Sequence, residues 1–321
     1  MQLRKLGRST LEIAPLAFGG NVFGWTLDEQ ASFTMLDGLT DIGLNMVDTA
    51  DVYSAWVPGN RGGESETIIG NWLRQTGKRD RVVLATKVGM PLGDGSKGLS
   101  ADNIMRAAEH SLRRLQTDYI DLYYAHLDDP DVPFEESLEA FSRLIDAGKV
   151  RYIASSNFEA PRLQEALTVA RSNGLPQFVA HQPEYNLYDR SGYEGELQRV
   201  CTDNNLGVVT YFSLASGYLS GKYRTLEDVK NSKRGEGFVN KYMTPRGERI
   251  ISALTNIAGQ HQVPVASVAL AWLIQRPGIT APIASATSME QLNELAIALE
   301  LMLTESDMAV LDQASAPETE T

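Results

Sequence analysis

Four polar side chains stand where apolar runs of this sequence give out. Asp48 follows "NMV", Tyr53 comes five residues later, Lys87 closes "VVLAT" and His126 closes "IDLYYA". For any one of them a solvated strand end is a sufficient account. Four of them, distributed over successive apolar runs, describe a proton-transfer site. A tyrosine hydroxyl has an ordinary pKa of about 10, too high for easy proton donation near neutrality. An ammonium within hydrogen-bond reach stabilises the phenolate and lowers that value. A carboxylate paired with the ammonium keeps it charged and in place, and a histidine beside the phenol can orient a carbonyl oxygen or relay its proton. Such a set is suited to protonating an oxyanion as hydride arrives at carbon.

Something must bring these ends together. Eight short β-like runs alternate with amphipathic stretches: "LAFGG" (16–20), "NMVDTA" (45–50), "VVLATK" (82–87), "IDLYYAH" (120–126), "VRYIASSN" (150–157), "FVAHQPEY" (178–185), "GVVTYFSL" (207–214) and "ITAPIASA" (279–286). That count and alternation predict an α/β fold, a (β/α)8 TIM barrel, with chemistry at the C-terminal strand ends. Thr26 with Glu29 and Ser288 with Gln291 have the spacing of capping boxes. Asp131 and Pro133 open a helix that Gly148 stops, and 265–275 reads as a helix packed on the barrel. Residues 1–14 read as a β-hairpin turning at Gly7-Arg8-Ser9 and capping the barrel bottom, extra helices close the C-terminal part, and 315–321 reads as a disordered tail. The expectation is one domain over 1–321. One gap is long: about thirty residues with four glycines and the basic Lys230, Lys233 and Arg234 separate "YFSL" from Arg246. Long loops of this kind are usually functional.

Composition narrows the partners. The 321 residues carry a formal charge of −12, which argues against nucleic acid and anionic membrane surfaces and for a small molecule. Cys201 is the single cysteine, so neither a disulfide framework nor a thiolate metal cluster is expected. Glu12 and Pro15 interrupt the first apolar stretch and no run is long enough to span a bilayer, so a cytoplasmic location without a membrane partner is expected. Asp48, Asp51 and His126 have no recognised metal-ligand spacing, and no metal is expected. His110 and His261 lie in helical stretches and read as surface residues.

The sequence resembles the aldo-keto reductases over nearly its whole length. "VDTADVY" is similar to the family's DTAxxY motif, "SSNF" (155–158) and "HQPEYNLY" to later strand motifs, and "YFSLASGYLSGKY" to a segment that wraps a pyrophosphate. The resemblance implies that Asp48, Tyr53, Lys87 and His126 are the catalytic four, with Tyr53 the acid, Lys87 its tuner, Asp48 the partner of Lys87 and His126 the substrate orienter. It implies a nicotinamide cofactor, NADP(H) in preference to NAD(H), with Ser156, Asn157 and Gln182 at the carboxamide and Tyr211 stacked on the ring. Ser213, Leu214, Gly221 and Lys222 would meet the pyrophosphate. Gly20, Asn21, Asp48, Phe212, Gly217, Leu219, Arg224, Ser285, Thr287 and Gln291 complete the expected cofactor contacts. The substrate, an aldehyde or ketone, would meet Tyr53 and His126; Trp25 and Trp56, which follow strand exits, read either as further walls of its pocket or as core or rim packing. Ala154 stands where the family usually has glycine, His181 where it has asparagine, and Thr287 where lysine or arginine commonly meets the 2′-phosphate. The insertion 215–245 resembles that of bacterial members related to potassium-channel β-subunits, which raises a rival reading as a cofactor-binding regulatory or scaffold protein. Oligomeric state is left open.

Two patterns compete. "GDGSKG" (93–98) is a literal GxGxxG, with Asp118 and Asp121 downstream. Pro91 and Leu92 separate it from the strand, though, and Asp121 begins the next strand rather than ending it. "YLSGK" (218–222) is a YxxxK, but Gly217 and Gly221 make a helix there doubtful.

Overall fold

The computed structural model describes residues 1–223, 225–230 and 239–317. β1 (Arg4–Lys5) and β2 (Glu12–Ile13) form an antiparallel hairpin. Eight strands follow: β3 (Ala17–Gly19), β4 (Met46–Asp48), β5 (Val83–Val88), β6 (Ile120–Ala125), β7 (Val150–Ser156), β8 (Ala180–Gln182), β9 (Gly207–Thr210) and β10 (Ala281–Ala284). Each pairs in parallel with the next, and β10 closes on β3. The helices α1 (Glu29–Asp41), α2 (Glu64–Thr76), α3 (Ala101–Leu115), α4 (Phe134–Asp146), α5 (Ala160–Ser172) and α6 (Glu196–Asp203) cross between successive strands. This is the (β/α)8 barrel that the alternation predicts. Between β9 and β10 the chain forms α7 (Leu226–Lys230), within the long insertion, and then α8 (Pro245–His261) and α9 (Val265–Gln275), and α10 (Met289–Glu300) and α11 (Glu305–Ser315) follow β10.

Local chemistry sets the ends of these elements. α1 is capped by Asp28, whose carboxylate accepts from Ala31 N at 2.9 Å, and not by Thr26. Thr26 is held in the preceding turn, where its backbone N–H donates to Val22 O. Ser288 does cap α10, but Gln291 reaches back to Thr287 N at 2.8 Å rather than to Ser288 N, so the box closes one residue early. α4 starts after Pro133 and ends before Gly148 (φ 71°), as expected. Among the described residues no single helix is long and apolar enough to cross a membrane. α9, apolar on most faces, is buried over most of its length against the barrel.

The hairpin closes the barrel floor. A Cβ on Gly7, whose φ is 53°, would lie 2.1 Å from Val179 O and 2.5 Å from Gly207 N, so the turn is pressed against the N-terminal ends of β8 and β9. Leu6, Leu11 and Ile13 join the inward residues Met46, Ala85, Leu122 and Val209 in one apolar cluster. Asp121, the acid of the GxGxxG reading, lies at the N-terminal end of β6. It accepts from Arg79 and Arg151, each at 2.7 Å, and from Leu84 N at 3.0 Å, a structural ion pair. The glycines of 93–98 form a turn closed by Leu92 N to Ser96 O, and α3 starts only after its cap Ser100. The YxxxK also fails: its short 3-10 turn ends at Ser220, before a left-handed Gly221.

α2 and α3 are in close contact at Gly70, where an added Cβ would meet Arg114 O at 2.0 Å. Gly70→Ala is expected to destabilise by roughly 1–3 kcal/mol. Gly259→Ala, on α8 with nothing within 4 Å, should be neutral or stabilising by up to about 1 kcal/mol. Urea denaturation of the two variants checks the contrast; an unaffected Gly70→Ala would refute the close packing.

Candidate active site

Strand alternation sends Met46 and Asp48 inward from β4, and Val83, Ala85 and Lys87 inward from β5. Leu122 and Tyr124 follow from β6. Register then levels the polar ends: Gly19 with Asp48, Asp48 with Ala85, Lys87 with Tyr124, Ser156 with Gln182. The four residues singled out above meet at this C-terminal mouth.

At its centre is a lysine with no solvent exposure. Lys87 Nζ donates to Asp48 Oδ1, donates to Thr49 O at 2.8 Å and lies 3.2 Å from the Tyr53 hydroxyl. These three partners match the three donors of an ammonium. Asp48 uses its other oxygen to accept from Gln182 Nε2 at 2.9 Å. Burial opposes the charge on Lys87, but Asp48 and Tyr53 outweigh it and hold its pKa above the ordinary lysine value.

For Tyr53 the expected net direction is overturned. Burial pushes its pKa above 10, Lys87 pulls downward, and Asp48 pushes up again. The ammonium offsets desolvation without overcoming it. His126, its ring 6.2 Å from that of Tyr53, is driven well below its ordinary pKa by burial and by Lys87. It is a neutral imidazole, able to donate one N–H to a carbonyl oxygen.

The segment bearing Tyr53 is held at both ends. Gly63 N and Ser65 N donate to the Tyr53 carbonyl at 2.8 and 3.3 Å. The Ser65 hydroxyl lies 2.8 Å from both Thr49 Oγ1 and Gly20 O. Beyond Tyr53, Trp56 contacts its ring edge-on at 5.6 Å and Trp25 lies against Trp56 at 5.8 Å. Trp56 is 47% exposed, so this aromatic edge faces the open mouth.

The expected cofactor residues are spread around the mouth, from the ends of β7, β8 and β9 to those of β10 and β3. Asn157, left-handed at φ 58°, donates to His126 O at 2.9 Å and to Ser156 Oγ at 3.1 Å, and accepts from the Tyr211 hydroxyl at 2.6 Å. Ser156 donates to Gln182 O at 2.9 Å. Phe212 is 39% exposed and Ser213 is tied to Thr210 O. Phe212, Ala215, Ser216, Gly217 and Gly221 all have positive φ. Left-handed non-glycine residues are uncommon, and backbone of this kind forms concavities whose N–H groups receive anions. Leu214 O accepts from Gly217 N and Leu219 N, closing that bend. The Ser285 hydroxyl lies 2.8 Å from Gly19 O and from Asn21 Oδ1, beside Gly20. Thr287 donates its N–H and hydroxyl to Gln291 Oε1. Lys222 is exposed, its Nζ 4.9 Å from the Tyr223 ring. Arg224, Lys233, Arg234 and tail residues 318–321 lie outside the described residues. A strip running from Asn157 past Tyr211 and the left-handed bend to Thr287 fits an extended phosphate-bearing cofactor.

Some participants escaped the sequence reading. The Thr49 carbonyl, the clamp of Gln182 on Asp48 and the Asn157 bond to His126 O are backbone or long-range contacts without a residue-type signature. A buried trio did leave a trace. Glu66, with no exposure, accepts from Thr86 and Arg114 at 2.6 Å each. Polar Thr86 at an outward position within "VVLATK" marks it.

A parallel eight-stranded barrel with a buried carboxylate and ammonium against a phenol at its mouth is a site suited to proton transfer, and comparison with known proteins gives its lineage. Residues 15–316 match the Aldo/keto reductase family, and the chain belongs to it. It is 36% identical to the uncharacterized oxidoreductase YrpG of Bacillus subtilis over 97% of this chain and 95% of that one. It is 34% identical to a probable voltage-gated potassium channel subunit beta of Arabidopsis thaliana, over 92% and 90%. It is 31% identical to protein tas of Escherichia coli, over 97% of each. Membership implies nicotinamide-dependent oxidoreduction of carbonyl compounds.

Removing one member of a buried ion pair strands the other charge. Lys87→Met is expected to cost about 3–5 kcal/mol, and Lys87→Met with Asp48→Asn should recover part of it. Because folding raises the lysine pKa, the contribution is complete below the ordinary lysine range and is lost above it, so neutral pH is the place to measure it by urea denaturation. Unchanged stability in the single variant would refute the pairing.

Proposed function

We propose that this protein reduces aldehydes or ketones to alcohols, with Tyr53 as the proton donor. The observation that carries this reading is the Lys87 ammonium held between the Asp48 carboxylate and the Tyr53 hydroxyl, with neutral His126 beside them. A reduced nicotinamide, when bound, supplies hydride to the carbonyl carbon. Asn157, Ser156 and Tyr211 would hold its ring end, the 213–222 bend its pyrophosphate, and Ser285, Thr287 and Gln291 its adenosine end. His126 donates its N–H to the substrate carbonyl and orients it. As the carbonyl electron pair moves onto oxygen, the Tyr53 O–H proton passes to that oxygen. The remaining phenolate is balanced by Lys87, which Asp48 keeps charged. The exposed Trp56 edge gives the substrate an apolar wall.

The likeness to potassium-channel β-subunits favours a second reading, cofactor binding that serves regulation rather than turnover. Steady-state assay with a panel of aldehydes and ketones separates the two. In that assay Tyr53→Phe should retain cofactor binding and lose at least about a hundredfold in reduction rate, the low end for a lost general acid. A variant reducing carbonyls near the wild-type rate would remove Tyr53 from the role, and a wild type without turnover on any substrate would favour the regulatory reading.

We further propose NADPH as the preferred cofactor. The Thr287 hydroxyl is engaged by Gln291 and carries no charge; the insertion, where Arg224, Lys233 and Arg234 stand, is the source of a cation for the 2′-phosphate in this reading. One charge-assisted contact contributes roughly 1.5–3 kcal/mol, about ten- to a hundredfold in affinity. Dissociation constants for both reduced cofactors, from quenching of protein fluorescence, should favour NADPH by about tenfold; tighter binding of NADH would reverse the assignment.

A further inference from the structure

Behind the turn that joins Asp48 to Tyr53 is a carboxyl that proton delivery, as described, leaves unused. Asp51 is 3% exposed, and its Oδ1 has no hydrogen-bond partner among the described residues. Its backbone N–H donates to the carbonyl of Lys87 at 3.2 Å, so it lies between the two strand ends that supply the ion pair. The groups facing it are Glu66 from α2, Arg114 from α3, Lys87 from β5 and Tyr123 from β6, with Tyr53 on its own segment. The Tyr123 hydroxyl is likewise buried and without a partner among the described residues.

Charge balance decides the state of this group. Arg114 is taken by Glu66 at 2.6 Å, and Lys87 by Asp48. Two anions thus use both cations, and a third carboxylate would be buried without a counter-charge, an arrangement proteins avoid by keeping the proton. Burial, with Glu66 adding to it, pushes Asp51 up to about 8.

We propose that Asp51 is a positioning residue for proton delivery by Tyr53, acting as a neutral carboxyl whose ionisation slows carbonyl reduction. This rests on the reading of Tyr53 as proton donor. Ionised Asp51 would set a second negative charge near Lys87 and Tyr53. It would raise the affinity of the phenol for its proton just when that proton must leave. It would also draw on water or on Arg114 for solvation, moving the segment that carries both Asp48 and Tyr53. Neutral Asp51 does neither, and leaves the Lys87 charge to the phenol.

The test uses Asp51→Asn, which keeps the shape of the side chain but has no proton to lose. In wild type, kcat for reduction at saturating cofactor and substrate should fall about three- to tenfold between pH about 7 and about 9, up to the factor that one unit of phenol pKa carries. In Asp51→Asn that step should vanish while KM changes little. Stability gives a readout independent of turnover. Unfolded Asp51 titrates near 3.9, so between about 4 and about 8 the folded state alone holds the proton. Wild-type stability should therefore fall, relative to Asp51→Asn, as pH rises through that window, as urea midpoints will show. Parallel urea curves would mean that Asp51 is ionised throughout, and would overturn the proposal. A relative fall in stability with superimposable kcat profiles would also overturn it, since Asp51 would then be neutral without acting on Tyr53. Tyr53→Phe separates this from failure of the parent reading: if that variant still reduces carbonyls, the proton donor is misassigned whatever Asp51 does.

Discussion

A lysine without solvent exposure is the constraint around which this barrel mouth is organised. An ammonium of that kind is tolerable only with all its donors satisfied and a counter-charge in contact. Asp48, Thr49 O and Tyr53 meet that demand. Each in turn imposes a requirement. Asp48 must be level with the end of β5, which the β4–β5 register provides, and its second oxygen needs Gln182 from β8, across the barrel. Tyr53 must return toward the mouth after leaving β4, which the start of α2 enforces through two N–H donors on its carbonyl. The ion pair therefore couples chemistry to closure. A barrel slipped by one residue at β4 or β5 would turn Asp48 or Lys87 outward among the helices.

The same low dielectric that makes the pair strong also sets the character of the neighbouring groups. Tyr53 and His126 are both held in their uncharged forms by burial, and Lys87 acts against that for the phenol while reinforcing it for the imidazole. Among these groups, charge is carried by the Lys87–Asp48 pair alone. The exposed aromatic edge of Trp56, against the Tyr53 ring, is apolar, whereas the hydrogen-bonded strip from Asn157 to Tyr211 is polar, so surfaces of both characters border the mouth.

Much of this was legible in the residues because strands have period two. Asp48, Lys87 and His126 lie at the ends of apolar runs, so both their facing and their level follow once a barrel is assumed. Ser156 and Gln182 follow from the same parity. Helix ends were less legible. Thr26 has the spacing of a cap, but the tight turn at 22–27 consumes its backbone N–H and passes the role to Asp28. The state of Tyr53 was not legible either, since residue types announce the ammonium but not the depth of the pocket. Asp51 showed the limit most clearly: beside Asp48 in the chain it resembles a solvated acid, and only the packing of α2 and α3 over it, with Arg114 already committed to Glu66, reveals its isolation.

The hairpin beneath the barrel acts on the mouth only at a distance. Gly7 is pressed against Val179 and Gly207, and Leu6, Leu11 and Ile13 extend the apolar packing of Met46, Ala85, Leu122 and Val209 downward. The interior is filled with side chains rather than hollow, so the floor reaches the mouth through that column of contacts. A loosened floor would be felt there as a softer seat for the strands that carry Asp48 and Lys87.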